Sequence, residues 1–314
     1  MSANRNAVLS GARLAIVILF FAVHAPAQVA RVFLSGTGND TSDCSNAATP
    51  CRSLQGAVTQ CPAKGEIIIL TSGGFGTANI TKSLTINAPD GIVAFNARTI
   101  YVTITPNDTV VIRGISMQGA VFGDSWGIDF SGSGTLILEN SILDGFAVGG
   151  IRQGAPSSTM FVNNCEFRNS AGSGMTTNSS TTDLNRLTVL NSRFHNNSYA
   201  GVELGDTTNA VIKNCVITNN RFGVFAVGTV RGDPKVTIDS CVIAHNTKTV
   251  DSSGIRAQDF SNQPYDVTVR VTNSSIYGNT TGLFTSNATI VSFGTNHLWD
   301  NGTDGTFSST APQQ

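Results

Sequence analysis

Charge is scarce in this chain. Of 314 residues only 12% are Asp, Glu, Lys or Arg, 19 basic against 20 acidic, for a net charge of −1. A phosphate backbone is held by clustered Lys and Arg, and their lack excludes nucleic acid as a partner. Histidine is equally thin: His24, His195, His245 and His297 are too far apart to make a ligand set, and no zinc spacing accompanies them. No glycine-rich nucleotide loop and no nucleophile triad can be found. Long apolar runs are missing after the first residues, so nothing later in the chain spans a membrane. Helical periodicity is nearly absent as well. The apolar runs are strand-sized and bounded by Gly, Asn, Ser and Thr.

The amino terminus carries Arg5 and Arg13, an apolar run over 14–23, and Ala25-Pro26-Ala27. A basic start, a short apolar stretch and a small-residue site read as a signal peptide, residues 1–27, cut after Ala27; the alternative is a retained anchor. Export to the periplasm or the cell exterior follows. What remains is long enough for one large domain.

That domain repeats. With Ile217 as anchor, equivalent positions are Met117, Leu143, Phe167, Phe194, Ile243, Ile276 and Leu298, with a mean spacing of about 26 residues. Seven and five residues before each anchor the side chain is apolar, as in Leu136 and Leu138 or Val291 and Phe293. Those two positions share one strand face, and a small residue two before the anchor shares the inner face of a second strand. Between these strands stand Asn140, Asn164, Asn191, Asn214 and Asn273. Asn tolerates the left-handed backbone of a sharp bend, and its amide can bond to the copy above. Three residues past the anchor come Asn197, Asn220, Asn246, Asn279 and Asn301, a second polar ladder. Gly followed by an apolar residue then recurs, as in Gly127-Ile128 and Gly223-Val224, and marks a third strand. Variable loops follow it, over 154–158, 178–184, 228–234 and 258–266.

The spacing predicts an all-β, right-handed parallel β-helix solenoid over residues 65–305, with about ten coils of three short strands. Its coils stack about 4.8 Å apart. Five or six inward apolar side chains per coil, each worth about 1.5–3 kcal/mol, hold the stack together. The rival repeat is leucine-rich, but here Val and Ile dominate, and the return segments make poor helices.

Residues 28–64 read as a cap that closes the first coil, with a helix over 53–61 started by Ser53. Cys51 and Cys61 then sit roughly 15 Å apart at opposite helix ends. A Cys44–Cys51 bridge is therefore expected, with Cys44–Cys61 as the alternative. Cys165, Cys215 and Cys241 share an inward column and read as buried small hydrophobes. Residues 306–314 read as a frayed tail.

The repeat resembles the right-handed parallel β-helix proteins of the pectate-lyase-like superfamily. That resemblance implies a polysaccharide partner lying across the third strand, and lyase-like catalysis with calcium as a possible cofactor. The outward residues there are Asp129, Arg152, Thr176, Glu203, Phe225, Arg256 and Phe284. Arg152 and Asp129 are the candidate catalytic pair. Asp129, Arg152, Glu203, Phe225 and Arg256 are the candidate substrate contacts, and Asp124 and Asp144 could swing in from loops to help hold a cation. Asp129 and Glu203 are three coils apart, about 14 Å, too far for a glycosidase pair. The close Asp pairs and Gly-His-Gly of polygalacturonases are missing. A second cluster, Asp144, Glu166, Arg168, Arg193 and His195, lies outward on the anchor strand, and Tyr277 with Trp299 could stack on a sugar. The expected function is binding of an extracellular polysaccharide, with or without lyase activity. The alternatives are a non-catalytic adhesion solenoid and a trimeric tailspike.

Overall fold

The structure is a computed structural model that describes residues 31–178, 182–205, 207–261 and 267–312. The expected leader, residues 1–27, lies outside the described residues. Among the described residues the chain winds through three parallel sheets of 12, 10 and 9 strands, with one α-helix. Each coil visits the sheets in one order. Thr208–Lys213 lies in the first sheet, Val216–Thr218 in the second and Phe222–Gly228 in the third, after which Lys235–Asp239 returns to the first. This is the right-handed parallel β-helix that the repeat predicts.

The register follows from the side chains that must face inward. Leu136, Met160, Leu187, Ala210 and Val236 are successive partners in the first sheet, and all are buried. The anchor column of the second sheet pairs Met117 through to Leu298 without a break. Parallel stacking puts like side chains one rung apart, so the Phe167 and Phe194 rings stack at 4.8 Å and 2°.

Two of the three corners are amide ladders, built differently. At the first corner Asn140, Asn164, Asn191, Asn214 and Asn273 have φ between 49° and 54°, and Gly114, Ser240 and Thr295 take that place in other coils. Their amides bond along the stack at the surface: Asn164 Nδ2 donates to Asn140 Oδ1 at 2.9 Å. At the second corner the left-handed residue comes one position earlier than the ladder, as Asn169, Asn196, Asn219 and His245. That frees Asn197, Asn220, Asn246 and Asn279 to turn inward, where they are buried. Asn220 Nδ2 donates to Phe194 O (3.1 Å) and Asn246 Oδ1 (3.2 Å), and its Oδ1 accepts from Asn197 Nδ2 at 3.0 Å. Buried amides need such complete pairing.

Three expectations need correction. In the last coil Val269 pairs with Ile290 and Val271 with Ser292, so Ile290 and Ser292 face inward instead of Val291 and Phe293. The bend there takes two left-handed residues, Gly294 and Thr295, where the preceding coil uses Asn273 alone. One extra residue flips the whole strand. The carboxyl-terminal segment is not all frayed: Ser309–Thr310 pairs with Val291 and Ser292, and Phe307 packs on the core. Without it the first sheet would end on an unpaired edge. At the other end Arg31–Leu34 already pairs with Gly65–Ile69, so the first sheet begins inside the cap segment.

The cap helix is Leu54–Gln60. Ser53 Oγ accepts from Gly56 N at 3.0 Å, and Leu54, Ala57 and Val58 are buried. Cys44 and Cys51 form a disulfide with Cα atoms 5.2 Å apart. Cys61, Cys165, Cys215 and Cys241 are free and buried.

Candidate functional site

The outward column of the third sheet reads Tyr101, Asp129, Arg152, Thr176, Glu203, Phe225, Arg256 and Phe284, each in register with the next. The five candidate contacts therefore share one face, but they fall into two clefts.

The first cleft holds Asp129 and Arg152. Arg152 Nε and Nη2 donate to Asp129 Oδ1 and Oδ2 at 3.1 and 2.6 Å, a two-pronged pair. The Arg152 guanidinium also lies 5.7 Å from the centre of the Trp126 ring. Trp126 has room because the next residue in its column is Gly149. A Cβ there would come within 2.5 Å of the indole. Asp124 lines the same cleft, where it pairs with Arg98 at 3.3 Å and accepts from Thr99 N at 2.8 Å.

Calcium does not fit this face. Both oxygens of Asp129 are taken by Arg152, and Asp124 is committed to Arg98 and Thr99. Asp144 is not on a loop at this face at all. It lies on the second sheet, in Ile142–Asp144, bonded to Arg168 and Asn169. Among the described residues no three His, Cys, Asp or Glu converge as a metal site, whereas a hard cation takes six or more oxygens.

The second cleft lies farther up the stack, lined by Glu203, Phe225 and Arg256 together with Tyr199, Arg221 and Asp251. Tyr199, Phe222 and Phe225 pack ring on ring, with centres 5.2 to 5.9 Å apart. Phe225 is outward by register yet only 5% exposed, because its neighbours close over it. Arg256 spreads over Phe284 at 4.0 Å and Phe222 at 5.1 Å, with Nε donating to Gln258 Oε1. No carboxylate pairs with it among the described residues, whereas Arg98, Arg152 and Arg221 on the same face each hold one. Burial pulls its pKa down from the usual arginine value, but a guanidinium stays charged in proteins.

Glu203 accepts from Ser173 Oγ at 2.7 Å and Thr176 Oγ1 at 3.2 Å. Burial outweighs those bonds and raises its pKa. The neighbouring Tyr199 hydroxyl is pushed up by burial and then by the Glu203 charge. Arg221 clasps Asp251, with Nε to Oδ1 at 3.1 Å, and its hydrogen bonds hold Asp251 down to about 2.

The cluster on the second sheet closes on itself. Arg168 bonds to Asp144 at 3.0 Å and also to Glu166, and His195 Nε2 meets Glu166 Oε1 at 3.1 Å. Burial alone would raise Glu166, but the bonds from His195 and Arg168 together hold it low. Arg193 stands beside Glu166 in register. Near the last coil Tyr277 and Trp299 stack at 4.9 Å and 19°.

The outward column does not include Tyr199, Arg221, Phe222 or Asp251. One signal was available. The residue just before each third-strand glycine is Trp126, Gly149, Ser173, Ala200, Phe222, Ser253 and Thr281, aromatic in only two coils.

Among curated proteins, none matches this sequence. Similar solved structures include an alginate lyase from Paenibacillus sp. strain FPU-7 (12% identity, TM-score 0.65, 90% of this chain and 99% of that one). A pectate lyase is similar at 16% identity and TM-score 0.54, over 90% of this chain and 78% of its own. XylC in complex with xylose is similar at 8% identity and TM-score 0.53, over 90% and 72%. At these identities the likeness is one of fold. A model described as the right-handed β-helix region matches residues 65–232, more than half of the sequence, and with three parallel sheets closing around one apolar lining the chain belongs to the right-handed β-helix family.

Proposed function

We propose that this protein binds a carboxylate-bearing polysaccharide on the outward face of its third sheet, in the cleft around Arg256. One observation carries the reading: among the described residues the Arg256 guanidinium lies 4.0 to 6.0 Å from the ring centres of Phe222, Phe225 and Phe284 and pairs with no carboxylate. Three aromatic walls reduce its hydration, and among the described residues Gln258 is the one hydrogen-bond partner of its donors. A uronate supplies what is missing, a planar anion for the guanidinium and an apolar ring face for the neighbouring Phe260, which is 61% exposed. The described similarity to an alginate lyase and a pectate lyase supports the choice of an acidic polymer.

Binding is favoured here over elimination by Arg152. A base must be aimed at the substrate, and Nε and Nη2 of Arg152 are instead taken up by the two-pronged bond to Asp129. Titration of polygalacturonate, alginate and a neutral glucan into the mature protein tests the reading. Acidic polymers should bind, the neutral one should not, and Arg256→Ala should remove the difference. Equal binding of all three, or none by any, would overturn it. Release of unsaturated products in the same samples would add catalysis to the function.

A further inference from the structure

The two clefts are built from the same part. In the first, Trp126 precedes a third-strand glycine, and Arg152, two residues after the next coil's glycine, lies over its ring at 5.7 Å. In the second, Phe222 precedes the glycine, and Arg256, again two after the next coil's glycine, lies over its ring at 5.1 Å. The ring's neighbour in the next coil is small in both, Gly149 beside Trp126 and Ser253 beside Phe222. Trp126 and Phe222 are four rungs apart, as are Arg152 and Arg256, so one unit is the other moved about 19 Å along the axis. Parallel stacking makes this a translation without rotation, apart from the slight twist of the sheet. The floor between them carries Ser173, Thr176 and Glu203 from the intervening coils, joined by the hydrogen bonds of Glu203.

We infer that the paired units are the two ends of one linear site, occupied together by a single polysaccharide chain running along the solenoid axis. This rests on the reading of the Arg256 cleft given above and adds a length and an orientation to it. A pyranose unit is about as long as one rung is high, roughly 5 Å, so a chain must have about five units to reach both ends. The ends differ in what they take. At Arg256 the guanidinium is open and accepts a carboxylate. At Arg152 the charge is already met by Asp129, so that end offers the indole of Trp126 as a platform and the outer carboxylate lone pairs to sugar hydroxyls. Once one end is bound, the second contact is intramolecular, and affinity steps up when the ligand is long enough to span.

The test is a length series of oligogalacturonates and oligoalginates, from about two to about eight units, titrated into the mature protein. In the wild type, affinity should rise by roughly ten- to a hundredfold between ligands shorter than about four units and those longer than about five. Trp126→Ala should abolish that step, so that long ligands bind no better than short ones, and Trp126→Phe should restore part of it. Arg256→Ala should weaken every length. A smooth dependence on length in the wild type, or a step that survives Trp126→Ala in a protein with unchanged circular dichroism, would overturn the two-ended site and leave the Arg256 cleft standing. Absence of binding at every length would overturn both.

Discussion

The lower cleft and the upper cleft share an aromatic ring, an arginine lying on it and a small residue beside it, yet the two arginines are held differently. The difference comes down to one position. One rung before Arg152 stands Asp129, and one rung before Arg256 stands Phe225. The carboxylate closes the first guanidinium, whereas the ring desolvates the second and leaves it open. In a parallel coil the nearest neighbour of any outward side chain is the same position in the next copy, so one substitution per repeat can convert a structural ion pair into an anion site. The foundations differ too. Beneath the upper cleft runs the buried ladder Asn197, Asn220, Asn246, while the equivalent place under the lower one is filled by Phe146.

The largest effect should come from that foundation. Asn220→Ala strands Phe194 O and the Asn197 amide in the interior and should cost about 2–4 kcal/mol in urea unfolding. A loss under about 0.5 kcal/mol would mean that the ladder does not hold the upper cleft. Next, Arg256→Ala should weaken acidic-polymer binding by about 1.5–3 kcal/mol, roughly ten- to a hundredfold by calorimetry, while Arg256→Lys should recover only part of it. An Arg256→Lys protein that binds as the wild type does would show that point charge suffices and planar recognition is not used.

Opening the lower cleft is a subtler change. Asp129→Asn removes the charge that neutralises Arg152 and should raise affinity for long acidic ligands several-fold, at a stability loss of no more than about 1 kcal/mol because Arg152 is 39% exposed. Unchanged affinity would mean that the lower arginine is out of reach of the ligand.

The smallest effect is a pH dependence. Glu203 lies between the clefts with its pKa raised by burial, facing Ser173, Thr176 and Tyr199, with the Arg221–Asp251 pair and Arg256 beyond. As pH rises through that raised value the site gains a negative charge, and binding of a polyanion should weaken. Stability has the same sign. The raised folded-state value means that protonation favours the folded state, so this contribution is fully present below the ordinary glutamate pKa and is lost as pH rises through the folded one. Glu203→Gln should flatten both profiles above the ordinary glutamate pKa, as read by calorimetry and thermal melts.

Much of this was legible in the chain. The fold, the left-handed asparagines of the first corner and the outward order of the third sheet follow from a period near 26 and from Asn at fixed offsets. The last coil slipped because its bend takes one more residue, which no periodicity reveals when Val291 and Phe293 are apolar as well. The upper cleft was half visible. Glu203, Phe225 and Arg256 lie in the outward column, but Tyr199, Arg221 and Asp251 reach in from corners, where side-chain direction is set by local backbone and not by a period of two. The closing of Arg152 by Asp129 was an open choice in the sequence, since adjacent opposite charges can equally be a site, and only the hydrogen-bond geometry decides it.

The most direct test is to rebuild the lower cleft's electrostatics in the upper one. An oligouronate of about six units is titrated into Phe225→Asp and into Phe225→Asn, the second of which removes the ring without adding charge. Because a carboxylate at this position should close on Arg256 as Asp129 closes on Arg152, Phe225→Asp should bind at least tenfold more weakly than Phe225→Asn, about 1.4 kcal/mol. Equal affinities in the two folded variants would contradict the claim that an open guanidinium is what makes this face a binding site.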